Sequence, residues 1–262
     1  MERVLLFILS LFFFYQLSYA ENGSVVVISI DALHPDAIVK IKPKNIGKLI
    51  DIGVSNFNGK SVKPPKTLIS HTAMVTGKTP IDSGYNSNVW KSGDPTVSGE
   101  TVFHDAKSAG LKTYYIYSKQ KLGFLNNSAI DKSIFGKDDS ISIAEKIILN
   151  EKKPYFMFLH ISGLDEVGPQ YGWLSDEYLE EFKFIDNELQ KIIDHFIHSK
   201  NGTIIITSDH AGHEKEHGTD HPEDYKLPLI IFSKTTNFDD IKTSSYSSYQ
   251  LRSLVNRVFK KK

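Results

Sequence analysis

Four stretches of this chain each place a reactive type of side chain just past an apolar run. "VVVISIDALHPDA" ends its run on Asp31, and "PPKTLISHTAMVTGKTP" carries Thr67 after two prolines. "FMFLHISGLDEVGPQYG" holds Asp165 four residues beyond Ile161, and "TIIITSDHAGHEKEHGTDHPED" follows its run with Asp209 and His210. Carboxylates and imidazoles are the donor set that zinc accepts. A hydroxyl at a helix start sits where amide N–H groups and the helix dipole favour an anion. Each feature has an ordinary counterpart. Asp31 can cap a turn, Thr67 can cap a helix, and Asp165 can belong to a plain glycine-bearing loop. A solvated histidine-rich loop accounts well for His213 and His221. It accounts poorly for Asp209 and His210, because an adjacent acid and imidazole behind a buried strand are costly unless bound or hydrogen-bonded. Together the stretches supply aspartates, histidines and a hydroxyl sufficient for a metal pair that clamps the attacking and leaving oxygens of a phosphoryl transfer.

The elements that must position these groups are legible as periodicities. Five runs rich in β-branched and aromatic residues read as buried strands, at 24–30, 112–118, 155–161, 203–208 and 227–233. They do not alternate, which predicts strands covered on both faces, as in a mostly parallel sheet. Helical patterns lie between them: "TVFHDAKSAG", "SISIAEKIILNE", a short helix from His71 to Thr76, and a long one from Ser175 to His198. The alternation predicts one α/β domain, a central mostly parallel sheet with helices on both faces. In such folds loops converge at the carboxyl ends of strands, where all four stretches fall.

Composition narrows the classes. The 262 residues carry 31 basic and 31 acidic side chains, so no global charge steers the chain toward a nucleic acid duplex. There is no cysteine, so a bound metal must use His, Asp and Glu. The first 20 residues, "MERVLLFILSLFFFYQLSYA", read as a signal peptide: a charged start, an apolar run and a small-x-small end at Ala20. This predicts export to a periplasmic or extracellular location, with no membrane insertion after cleavage and residues 21–262 as the mature domain. Lys119 and Lys121, after the 112–118 strand, read as solvated surface charges, with phosphate binding as the alternative.

The ordered motifs resemble the alkaline phosphatase superfamily, and within it the nucleotide pyrophosphatase/phosphodiesterase branch. "TLISHTAMVTGKTP" matches the nucleophile segment through Thr67, His71, Thr76, Gly77 and Pro80, with Ile69 where proline is usual. "SDHAGHEKEHG" matches the family's later S-D-H-G and H-G segments, with Ala211 in place of a glycine. The resemblance implies two divalent metals, zinc foremost. One would be held by Asp31, Asp209, His210 and the Thr67 oxygen, and the other by Asp165, His217 and a further histidine. It also implies Thr67 as nucleophile and Asn88 as a holder of phosphoryl oxygens. At the further histidine the chain departs, with Pro169 in its place. Gln170, Glu166, His213 or water could substitute, or the second metal is weak or absent. The implied function is hydrolysis of a small phosphate ester, nucleotide-like or a lipid head group, through a phosphothreonine. The alternative is a degenerate member that binds a phosphorylated ligand without efficient turnover. The chain has no sulfatase C/S-x-P-x-R motif and no room for the inserted domain of the phosphoglycerate-mutase relatives.

Overall fold

A computed structural model describes residues 23–260. The segment read as a signal peptide, residues 1–20, lies outside these residues. No helix among them is long and apolar enough to cross a membrane.

Seven strands form one sheet: β1 (Val25–Ile30), β2 (Val54–Lys60), β3 (Lys112–Tyr117), β4 (Lys132–Phe135), β5 (Tyr155–Ile161), β6 (Thr203–Thr207) and β7 (Lys226–Ser233). Their order is β2-β7-β6-β1-β5-β3-β4, with only β7 running against its neighbours. The expected mostly parallel sheet is therefore present. β2 and β4 escaped the sequence reading because "VSNFNGK" and "KSIF" are half polar, as suits strands at the two edges of a sheet.

The helices are α1 (Pro35–Ile41), α2 (Lys44–Ile52), α3 (Thr67–Thr76), α4 (Pro80–Ser83), α5 (Val102–Ser108), α6 (Ser140–Asn150), α7 (Gly163–Tyr171), α8 (Asp176–Glu188), α9 (Gln190–His198) and α10 (Leu251–Phe259). They cover both faces. Ile28, Leu159 and Ile206 of the sheet join Ile46, Ala144, Phe182 and Phe196 in one apolar layer. On the other face Val27, Phe158 and Ile205 join Leu68, Phe103 and Leu254. Such cores draw their stability from apolar area removed from water.

Three expectations needed correction. The short helix read from His71 to Thr76 begins four residues earlier, at Thr67. The 175–198 helix is two, α8 and α9, meeting at Leu189. The Ser175 hydroxyl caps the first by accepting from Tyr178 N–H at 3.2 Å. Asp165 does not sit in a loop but in the first turn of α7, with Pro169 inside the same helix.

Candidate active site

Four neighbouring strands deliver the cluster. β6, β1, β5 and β3 lie side by side, and their carboxyl ends lead to Asp209–His210, Asp31, Asp165 and Lys119 respectively. Asp31 is fixed by its own N–H, which donates to Ile161 O at 2.8 Å, and Ala32 then turns with φ 63°. A left-handed alanine is uncommon and persists only where surroundings hold it. Here Ala32 N–H donates to Asp209 Oδ1 at 3.2 Å, while Tyr178 Oη and Trp173 Nε1 donate to Ala32 O at 2.6 and 3.3 Å.

Each carboxylate commits one oxygen to the protein and leaves the other free. Asp31 Oδ2 accepts from His160 Nε2 at 3.0 Å and from Lys119 Nζ at 2.6 Å. Asp209 Oδ1 takes Ala32 N–H. Asp165 Oδ2 takes Lys119 Nζ. The remaining atoms, Asp31 Oδ1, Asp209 Oδ2 and Asp165 Oδ1, are buried without a hydrogen-bond partner, as are His210 Nε2 and Thr67 Oγ1. His210 Nε2 lies 3.3 Å from Asp31 Oδ1, 3.4 Å from Asp209 Oδ2 and 3.7 Å from Asp165 Oδ1, close but misaligned for hydrogen bonding. Its other nitrogen, Nδ1, donates to Ala211 O at 2.9 Å, which leaves Nε2 as the donor atom for an ion.

Those separations suit a divalent cation. Tetrahedral bonds of about 2.0–2.1 Å set neighbouring ligand atoms roughly 3.3–3.4 Å apart. Asp31, Asp209 and His210 therefore fit one ion. Asp165, His210 and His217 form a second candidate set, with His217 Nε2 3.5 Å from Asp165 Oδ1. The two sets share His210, whose Nε2 has a single lone pair, so only one of them can use that nitrogen.

Electrostatics follow from burial and proximity. Burial opposes charge on Asp31, yet Lys119, His160 and His210 hold its carboxyl well below the usual range. Burial and the neighbouring Asp31 push Asp209 up to about 7. Burial also opposes charge on His210, but Asp209, Asp31 and Asp165 outweigh it and push the imidazole up to about 10. Burial, with the charge on His210 beside it, lowers His217.

Thr67 begins α3, a ten-residue helix, so its amide and the next ones have no intrahelical acceptor. Leu68 N–H donates to Asn88 Oδ1 at 2.9 Å, which brings Asn88 to that helix start. Lys121 Nζ stands 3.4 Å from the same oxygen. His71 ties α3 to the cluster: its Nδ1 donates to Thr67 O at 2.7 Å and lies 3.5 Å from Asp209 Oδ2. The Ser29 hydroxyl donates to His71 Nε2 at 2.9 Å, an arrangement that requires a neutral ring, and burial accordingly holds its pKa far down.

The structure thus brings Asp31, Asp165, Asp209, His210 and His217 together, with Thr67 and Asn88 alongside. His213 is not among them. Its Nδ1 pairs with buried Asp224 Oδ1 at 2.7 Å and its ring stacks on His221 at 3.8 Å, so it orders the 211–224 loop instead. Gln170 Nε2 donates to Tyr171 Oη and Glu166 Oε1 accepts from the Ser162 hydroxyl, and Glu166 is not grouped with Asp165 and His217. Lys119, read from sequence as a solvated charge, is half-buried between Asp31 and Asp165, with a side chain only 16% exposed.

Two further residues had no sequence signal strong enough to single them out. His160 sits within the apolar run of β5, beside Ser29 of β1, and its Nδ1 meets the Ser118 hydroxyl at 2.9 Å. A lone histidine in a strand with no polar neighbour in sequence is the signal that was available. Trp173 lies against His217, ring centroids 5.5 Å apart, and is clamped by Gly168 and Gly212, where an added Cβ would come within 2.9 and 2.4 Å of the indole.

A mostly parallel sheet with this cluster on its carboxyl edge is a fold similar to that of the alkaline phosphatase superfamily. A superfamily protein from Vibrio parahaemolyticus superposes with TM-score 0.65 at 15% identity, over 91% of this chain and 67% of that one. Murine ectonucleotide pyrophosphatase/phosphodiesterase 5, in its inactive form with AMP, gives 0.72 at 14% identity, over 90% and 95%. More particularly, the chain belongs to the type I phosphodiesterase / nucleotide pyrophosphatase family, whose model matches residues 25–124 and 119–227. In sequence it is similar to GPI ethanolamine phosphate transferase 1 of Emericella nidulans, 27% identical over 165 residues. That match takes in 58% of this chain but only 17% of the fungal protein.

Proposed function

We propose that this chain cleaves a small phosphate ester by covalent catalysis, with Thr67 as the nucleophile. The observation that carries this is the convergence of buried, unpartnered donor atoms on Asp31, Asp209 and His210, with the equally unpartnered Thr67 hydroxyl tied to them through His71. A buried polar atom without a partner costs about 1–3 kcal/mol, so a group of them implies a ligand that satisfies them together. A divalent cation held by Asp31, Asp209, His210 and the Thr67 hydroxyl supplies Lewis acidity that lowers the hydroxyl pKa and withdraws charge from phosphoryl oxygens.

The protein's own groups do the rest. Thr67 Oγ attacks phosphorus, the P–O bond to the leaving alcohol breaks, and that alcohol departs with a proton. The start of α3 presents the Thr67 amide, which has no intrahelical acceptor, to the phosphoryl oxygens. Asn88, its Oδ1 engaged by Leu68 N–H, has its amide NH2 to donate to them. His71 stays neutral and holds Thr67 against Asp209. A water or alcohol oxygen then attacks the phosphothreonine and releases Thr67. Hydrolysis is the outcome with water.

Transfer to an alcohol is a second reading, favoured by the curated relatives, which are named as ethanolamine phosphate transferases. Export from the cell belongs to both readings, resting on the first 20 residues. The test is acid-quench mass spectrometry with p-nitrophenyl phosphate, its bis ester, and a phosphodiester bearing ethanolamine, for wild type and Thr67→Ala. Expected are a phosphorylated Thr67 peptide in wild type only and a loss of turnover of about 10³-fold or more in the variant. An acceptor alcohol that captures the phosphoryl group in place of water selects transfer. Turnover that survives Thr67→Ala overturns the assignment.

A further inference from the structure

We infer that Lys119 is the resident second cation of this site, so that the chain binds one divalent ion where its fold relatives' ligand pattern implies two. The inference rests on the proposed metal-binding roles of Asp31, Asp209 and His210.

The ammonium of Lys119 bridges Asp31 Oδ2, at 2.6 Å, and Asp165 Oδ2. It reaches them because β3, which precedes it, lies beside β5, which precedes Asp165, and β5 lies beside β1, which ends at Asp31. Lys119 thus takes up Asp165 Oδ2, on the carboxylate that a second ion would use, and stands between it and Asp31. The donor set around Asp165 is depleted as well. Pro169 stands one helical turn past Asp165 in α7, a position that would share its face, and offers no ligating atom. Of the residues able to substitute, His213 has Nδ1 committed to Asp224, while Glu166 and Gln170 are exposed and bond to Ser162 and Tyr171, and none of the three joins the ligand sets around Asp165. What remains is Asp165 Oδ1 and His217 Nε2, together with an His210 nitrogen already required by Asp31 and Asp209.

Charge points the same way. Asp31, Asp165 and Asp209 bring three negative charges to a buried cluster. One divalent ion and one ammonium neutralise them, whereas a second divalent ion beside Lys119 would leave two uncompensated positive charges out of water. An ammonium also differs from an ion in what it offers the reaction: N–H donors in place of a coordination position. Lys119 is therefore a charge-balancing and positioning residue for Asp31 and Asp165.

Metal stoichiometry tests this without reference to turnover. The full chain, stripped with chelator, is titrated with zinc and with manganese by calorimetry and native mass spectrometry, for wild type, Pro169→His, Lys119→Met and the double variant. One equivalent is expected for wild type and for Pro169→His, because Lys119 still holds its place. Two are expected for the double variant, where the histidine is restored and the ammonium removed. Lys119→Arg, which keeps the charge, stays at one. Two tight equivalents in wild type, two in Pro169→His alone, or one in a folded double variant would each overturn the inference. Pro169 is exposed, so its replacement keeps the test available if Lys119→Met does not fold. No metal bound by wild type would instead remove the reading of Asp31, Asp209 and His210 as ligands, and this inference with it.

Discussion

The division of labour within each carboxylate is the residue-scale feature of this site. Asp31, Asp165 and Asp209 each give one oxygen to a protein donor and keep the other free, so their orientation is set before any ion arrives. His160 is the side chain that orients Asp31, and it is itself held by Ser118. Partners of this kind are worth about 10–100-fold in metal affinity. His160→Ala is accordingly expected to weaken zinc binding by about that factor while leaving the stoichiometry unchanged, as read by competition with a chelating dye. Unaltered affinity would show that Lys119 alone orients Asp31. Burial lowers the His160 pKa, despite the opposing pull of Asp31, so the ring acts as a neutral donor rather than as a competing cation.

At the scale of elements, helix starts and strand ends do the positioning, and some are secured by distant partners. α2 begins at Pro43, which has no side chain to cap it. The cap comes from α8: Asp186 accepts Asn45 N–H at 3.0 Å and Ile46 N–H at 2.7 Å, and it is buried. Asp186→Ala leaves those amides buried and unsatisfied, at a cost of about 1–3 kcal/mol. For a chain of this size each kcal/mol lowers the melting temperature by about 2–4 °C. Scanning calorimetry is expected to show that decrease, with metal stoichiometry intact. A melting temperature equal to wild type would mean that water reaches α2's amides. The same kind of remote tie fixes the mouth of β1, where Tyr178 of α8 holds Ala32 and His34 through its hydroxyl.

Across the whole molecule, the proposed ion binding would be linked to folding. An ion that binds the folded chain stabilises it by an amount that grows with concentration over Kd, about 2.7 kcal/mol at a hundredfold excess. pH enters through His210. In the metal-free fold its pKa is raised to about 10. The protonated ring therefore contributes stability that is complete below its unfolded value of about 6.5 and fades as pH rises toward 10. An ion on Nε2 must displace that proton, so uptake releases it and metal affinity rises with pH over this window. The melting-temperature difference between zinc-loaded and chelator-treated protein is thus expected to be larger at about pH 8.5 than at about pH 6. A difference independent of pH would remove His210 from the ligand set.

By itself the sequence determined the strands that are apolar throughout and the groups that follow them. Asp31, Asp209 and His210 were legible because a charged or titratable residue behind "VVVISI" or "TIIITS" breaks a local pattern. Thr67 was legible from its motif although the helix it begins was read as starting at His71, and β2 and β4 were not legible, because polar edge strands lack local signatures. Only the tertiary structure decided what those groups meet. Lys119 and Asp165 are 46 residues apart and Asp31 and His160 are 129 apart. Contacts over such separations come from strand order and register, to which no local spacing refers. A lysine in sequence looks the same whether it ends in water or between two carboxylates. Here the adjacency of β3, β5 and β1 put Lys119 between Asp31 and Asp165, and the Asp224 carboxylate drew His213 away from the cluster.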